Sequence, residues 1–106
     1  MKIDRINISN IPSIIWGKKS NRVFIAVHGN MSNKEDDVIK ILAEKVINRG
    51  YQLLSFDLPE HGARKDDTNY LCKVQNCVKD LKQIIEYAKK NYQEINLWAC
   101  SMGAYF

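Results

Sequence analysis

The sequence predicts an α/β protein with a mainly parallel sheet flanked by helices, and three observations predict it. Short apolar runs alternate with two stretches of helical periodicity along the 106 residues, giving the order β-β-β-α-β-α-β. Connections of this length imply right-handed crossovers between parallel strands. The run Arg22-Val23-Phe24-Ile25-Ala26-Val27 is continuous rather than alternating, as expected of a central strand covered on both faces.

The opening stretch from Ile3 to Ile11 alternates apolar and polar residues. Pro12 then leads into Ser13-Ile14-Ile15-Trp16-Gly17, so two early strands separated by a turn are expected. The third strand ends at His28-Gly29-Asn30. Ser32 followed by Glu35 reads as a capping box and places a helix start there. Ile39, Leu42, Ala43, Val46 and Ile47 form one helical stripe, with Arg49 in the last turn and Gly50 as the stop. Tyr51 to Phe56 is a buried strand that breaks at Asp57-Leu58-Pro59-Glu60-His61-Gly62, and a polar loop follows from Ala63 to Asn69. Val74, Cys77, Val78, Leu81, Ile84, Ile85 and Ala88 recur at helical spacing, which predicts a second helix from about Tyr70 to Lys90. No linker divides the chain.

Composition narrows the function classes. The chain is 45% hydrophobic and 26% charged, the balance of a globular protein, with a formal charge of +4. The cations are scattered among acids. Lys18-Lys19 with Arg22, and Lys89-Lys90, are short clusters without interleaved aromatics, so no nucleic-acid partner is expected. Met1-Lys2-Ile3-Asp4-Arg5 lacks the apolar core of a secretory signal and no run reaches membrane-spanning length, so a cytoplasmic protein without a membrane partner is expected. Cys72, Cys77 and Cys100 have no C-x-x-C spacing and read as reduced thiols; on one helix Cys72 and Cys77 point in different directions. His28, His61 and Asp57 all follow strands, yet their spacing matches no metal motif, so neither metal nor cofactor is expected.

The most informative segment is Leu97-Trp98-Ala99-Cys100-Ser101-Met102-Gly103-Ala104. It reads as a buried strand running into small-x-Ser-x-Gly, a turn that lifts a serine hydroxyl above a sheet. The small Ala99 and Gly103 suit the close approach of strand and helix at such a turn. Taken alone, the segment is equally a strand end turning into a helix that Ser101 caps. A serine nucleophile also needs a base and a group that orients it, and five residues follow Ser101. A longer parent chain is therefore expected, of which residues 1–106 form one incomplete domain.

Three separated motifs together resemble the N-terminal half of an α/β-hydrolase. Val23 to Asn30 is similar to the family's third strand and its His-Gly oxyanion loop. Asp57-Leu58-Pro59-Glu60-His61-Gly62-Ala63-Arg64 resembles the Asp-x-x-x-His-Gly-x-Arg or Ser segment after the fourth strand, and Ala99 to Gly103 resembles the nucleophile elbow after the fifth.

The resemblance implies a serine hydrolase. Ser101 would attack an ester, thioester or amide carbonyl of a small-molecule or acyl substrate, and the backbone N–H groups of Met102 and of Asn30 or Met31 would hold the oxyanion. His28, His61 and Asp57 match positions that shape loops, because the family's acid and histidine follow the serine. Arg64 is found in branches related to prolyl oligopeptidases, acyl-aminoacyl peptidases and lysophospholipases, which one residue does not separate. The resemblance further implies activity only with a C-terminal half; the alternative is a non-catalytic remnant or binding module. The fifth strand is central in the family's sheet, so the isolated chain is expected to self-associate through an exposed sheet edge and to be inactive.

Overall fold

The computed structural model describes residues 1–29, 32–67 and 70–99. Five strands, β1 (Ile3–Ile8), β2 (Ile11–Trp16), β3 (Arg22–Val27), β4 (Gln52–Phe56) and β5 (Glu94–Ala99), form one sheet in the order β1-β2-β4-β3-β5. Only β2 runs against the others: it pairs antiparallel with β1 and β4, while β3 pairs parallel with β4 and β5. The sheet is thus mainly parallel, as the sequence predicts, with one reversed strand that makes it mixed.

Helix α1 (Asp37–Ile47) covers one face and α2 (Val74–Asn91) the other. The strand alternation sorts the core accordingly. Ile14, Trp16, Ala26 and Leu53 pack with Ile39, Ala43 and Val46 of α1. Ile15, Val23, Ile25, Val27, Leu54 and Phe56 pack with Cys77, Ile84 and Ala88 of α2. The continuous apolar run of β3 is explained by this arrangement, because its residues feed both clusters in turn.

Local structure departs from the expected reading at four places. The first turn falls at Ser9-Asn10, whose φ values of 49° and 67° are both left-handed, the backbone of a two-residue primed hairpin. Pro12 therefore lies inside β2 rather than in the turn. The sheet register would pair it with Asp57, whose N–H donates to the Pro12 carbonyl at 3.0 Å. The reciprocal bond is impossible because proline has no N–H. Arg64 Nη1 donates to the Asp57 carbonyl instead, at 3.1 Å.

The second departure is the start of α1. Asp36, not Ser32, caps it: its Oδ1 accepts from Ile39 N–H at 3.0 Å. Glu35 is drawn away by an ion pair with Arg5 on β1, and Asn33 Oδ1 takes the Glu35 N–H at 2.9 Å. The expected stop at Gly50 does form. Its φ of +86° permits Gly50 N–H to Ile47 and Tyr51 N–H to Val46, both at 3.0 Å, the paired bonds of a Schellman ending.

Helix α2 begins at Val74, four residues later than the periodicity suggests. Glu60 Oε2 takes the Cys72 N–H at 2.6 Å and Asn76 Nδ2 donates to the Leu71 carbonyl at 2.8 Å, which hold residues before Val74 out of the helix. Val74 is accordingly 60% exposed. The fourth departure follows from the third. Because Cys72 precedes the helix, its Sγ lies 3.8 Å from Cys77 Sγ instead of pointing elsewhere. The polar loop also contains a short 3-10 turn at Gly62–Arg64.

A Cβ at Gly50 would meet little, its nearest neighbour being Arg22 Nη1 at 3.9 Å. The Gly50→Ala variant is expected to lose only the left-handed backbone cost, about 1–2 kcal/mol, measured as a shift in the urea unfolding midpoint; an unchanged midpoint would contradict the Schellman ending.

Candidate active site

The candidate site lies at the carboxyl ends of β3, β4 and β5, the edge of a parallel sheet where ligand-binding loops gather. Val27, the last residue of β3, is in register with Ala99, the last of β5, and with Phe56, the last of β4. The loop opening with His28-Gly29, the loop opening with Asp57 and the end of β5 at Ala99 thus lie side by side.

Asp57 is fully buried at this edge. Its Oδ1 accepts from the Lys34 backbone N–H at 3.0 Å, and its Oδ2 from Lys34 Nζ at 2.7 Å and from Ala63 N–H at 3.0 Å. One carboxylate therefore joins the β3–α1 loop to the β4–α2 loop. A charge so buried is tolerable because an ammonium and two backbone donors replace its water. The close fit also explains Gly62: its φ is +54°, and a Cβ there would stand 2.2 Å from Asp57 Oδ1.

The β3–α1 loop is held a second time from below. Trp16 Nε1 donates to Ser55 Oγ at 2.9 Å, and that hydroxyl donates to the Lys34 carbonyl at 2.7 Å. Three elements, β2, β4 and the loop, are linked through one buried serine.

His28 is also buried, and both of its ring nitrogens are engaged. Nδ1 lies 2.7 Å from the Gly29 carbonyl, which can only accept, so Nδ1 carries the proton; Nε2 then accepts from Leu58 N–H at 3.0 Å. Burial, the largest influence, pushes the His28 pKa below its ordinary value. The imidazole is a neutral brace between the two loops. The His61 ring stands 5.1 Å from it, and His61 Nδ1 contacts the Pro59 carbonyl at 2.8 Å. Both histidines are thus engaged with backbone groups of the loops, and Asp57 organises the loops as the motif reading expects.

Arg64 ties the second loop to α2. Besides the Asp57 carbonyl, its Nη1 reaches Asp80 Oδ2 at 2.6 Å, and Tyr70 OH donates to Asp80 Oδ1 at 3.0 Å. Burial, and then the bond to Asp80, raises the Tyr70 pKa. An open groove runs past this cluster, between the β1–β2 turn and α2, and the Arg64–Asp80 pair lies along it.

Ser101, Met102 and Asn30, the residues that the motifs assign to nucleophile and oxyanion hole, lie outside the described residues, as do Met31, Cys100 and Gly103. The structure describes their flanks, Gly29, Ser32 and Ala99. Sequence reasoning missed Lys34, Ser55 and Asp80. Lys34 sits in a polar run that reads as solvated surface. Asp80 carried a usable signal, since it lies three residues after Cys77 and four before Ile84, on the core face of α2.

No family model and no curated protein matches the sequence. Solved structures do. Est1E from Butyrivibrio proteoclasticus, solved with ferulic acid bound, is 19% identical with a TM-score of 0.74, over 94% of this chain and 43% of that one. The esterase Pf2001 of Pyrococcus furiosus is 24% identical with a TM-score of 0.74, over 97% and 42%. The α/β-hydrolase GrgF of Penicillium sp. sh18 is 15% identical with a TM-score of 0.77, over 96% and 38%. The chain therefore has the fold of part of an α/β-hydrolase and spans about two fifths of the length of these three structures.

Two outcomes follow from the Asp57 and His28 geometry. Lys34→Met strips the buried carboxylate of its counter-charge and is expected to cost about 3–5 kcal/mol in urea unfolding, whereas a loss below about 1 kcal/mol, the range of surface pairs, would show the pair to be exposed in solution. His28 has a folded pKa below its unfolded value, so below pH about 6.5 the unfolded chain binds more protons and stability falls as pH falls. An imidazole signal from His28 that titrates at or above that pH by NMR would contradict its burial.

Proposed function

We propose that this chain is the N-terminal part of a serine hydrolase that cleaves a carboxylic ester, thioester or amide of a small acyl substrate through an acyl-enzyme on Ser101. The observation that supports it most is the register of β3 with β5. Val27 opposite Ala99 sets the end of β3, from which the His28-Gly29 loop opens, beside the first residue of the small-x-Ser-x-Gly sequence. Nucleophile and oxyanion donors must converge on one carbonyl, and in this fold they come from those two connections.

In this reading Ser101 Oγ attacks the substrate carbonyl, and the tetrahedral oxyanion accepts from the backbone N–H groups of Met102 and of Asn30 or Met31. Water later hydrolyses the acyl-enzyme. Asp57, Lys34, Ser55 and His28 act as positioning residues for the first loop. On the same reading the general base and the acid that orients it come from residues C-terminal to Phe106, which is supported by the engagement of both His28 nitrogens with backbone groups and by the His61 contact with the Pro59 carbonyl. Residues 1–106 alone are then an incomplete domain without turnover, and the edge of β5 is where further strands, or other copies of the chain, would pair. Leu97, 54% exposed on β5, fits such a face. Among the described residues no helix is long and apolar enough to cross a membrane; action in the cytoplasm is part of this proposal.

The test is fluorophosphonate labelling of the protein carrying its C-terminal continuation, with the adduct mapped by peptide mass spectrometry. The expected adduct is on Ser101 and is lost in Ser101→Ala. Labelling elsewhere, or none in a protein that is folded by circular dichroism, would overturn the assignment.

A further inference from the structure

We propose that Cys72 and Cys77 are a thiol-modification site, a pair that closes to a reversible disulfide when the protein meets a small disulfide oxidant such as oxidised glutathione. The inference is independent of the role of Ser101.

The geometry carries it. The two sulfurs are in contact at 3.8 Å. A disulfide needs about 2 Å, so the sulfurs have less than 2 Å to travel, and both backbones are already held. Cys72 sits on the extended lead-in to α2, with its N–H on Glu60 Oε2 at 2.6 Å. Cys77 lies in the first turn of the helix, with its N–H on the Lys73 carbonyl at 2.9 Å. Neither residue has to leave its element for the sulfurs to meet.

The two thiols are also unequal in a way that orders the chemistry. Cys72 is partly exposed and Cys77 is buried. Burial, reinforced by the neighbouring Cys72 and by Asp80, pushes the Cys77 thiol up to about 12, with Arg64 opposing. Oxidation therefore starts at Cys72. Its thiolate attacks one sulfur of the oxidant, forming a Cys72–glutathione mixed disulfide and releasing one glutathione thiolate. Cys77 then gives its proton to solvent and its sulfur attacks Cys72 Sγ, expelling the second glutathione thiolate. The two protons lost by the protein thiols end on the two glutathiones, and two electrons pass from the thiol pair to the oxidant.

The consequence reaches the candidate active site. Cys72 is bonded to Glu60, whose φ of +61° belongs to the Asp57–Gly62 loop that carries His61. Closing the pair makes a covalent tie at the far end of the connection that Asp57 and Arg64 organise.

The test is a thiol map of the full chain after incubation with oxidised glutathione at pH 8, alkylation with iodoacetamide and tryptic digestion without reductant. Lys73 lies between the cysteines, so trypsin separates them into two peptides that only a disulfide would keep together. The expected result is that linked pair, about 2 Da lighter than the sum of the two peptides, with alkylation of Cys72 and Cys77 lost and restored by dithiothreitol. In Cys77→Ser the mixed disulfide on Cys72 is expected to persist. Full alkylation of both residues after oxidation, a link from either one to Cys100, or a glutathione adduct on Cys72 that persists in the unsubstituted chain would overturn the proposal.

Discussion

A carboxylate with no access to water must be satisfied by whatever the fold brings to it, and Asp57 is satisfied by two loops at once. Lys34 contributes its ammonium and its backbone N–H from the β3–α1 loop, and Ala63 its N–H from the β4–α2 loop. Neither loop can move independently without leaving a buried charge short of a donor, which costs more than any single surface contact returns. The restriction extends outward. Gly62 must lack a Cβ, Ser55 must bridge Trp16 to the Lys34 carbonyl, and His28 must be neutral to donate to Gly29 while accepting from Leu58.

The reversed strand β2 belongs to the same system. Pro12 ends the β2–β4 ladder where its missing N–H would have met the Asp57 carbonyl, and Arg64 supplies the absent donor. The guanidinium then continues to Asp80 on α2. An arginine that in sequence resembles several branches without separating them is in the structure a tie between the sheet edge, the loop and the second helix.

Sheet, strands and helix stripes were legible in the sequence because burial writes itself as periodicity: β3 as an unbroken apolar run, α1 and α2 as stripes, Gly50 as a left-handed stop. Boundaries were less legible where neighbours compete. Ser32 and Asp36 both offer caps within one polar run, and the winner is decided by Arg5 taking Glu35 from another strand. The start of α2 and the meeting of Cys72 with Cys77 depend on Glu60, twelve residues upstream of Cys72. The Lys34–Asp57 pair spans 23 residues and leaves no local pattern. Of the candidate site, the strand ends from which the motifs run, Val27, Phe56 and Ala99, lie in register at one edge, and the loop-shaping roles of His28, His61 and Asp57 agree with their bonds; the nucleophile and oxyanion residues stand on the motifs alone.

The dependence of both loops on one carboxylate is most directly tested by amide hydrogen exchange in Asp57→Asn, read at Lys34 and Ala63. Protection is expected to fall at both amides together while β3 and β4 remain protected. If the Lys34 amide exchanges at its original rate when Ala63 is released, the two loops are held separately and Asp57 does not join them.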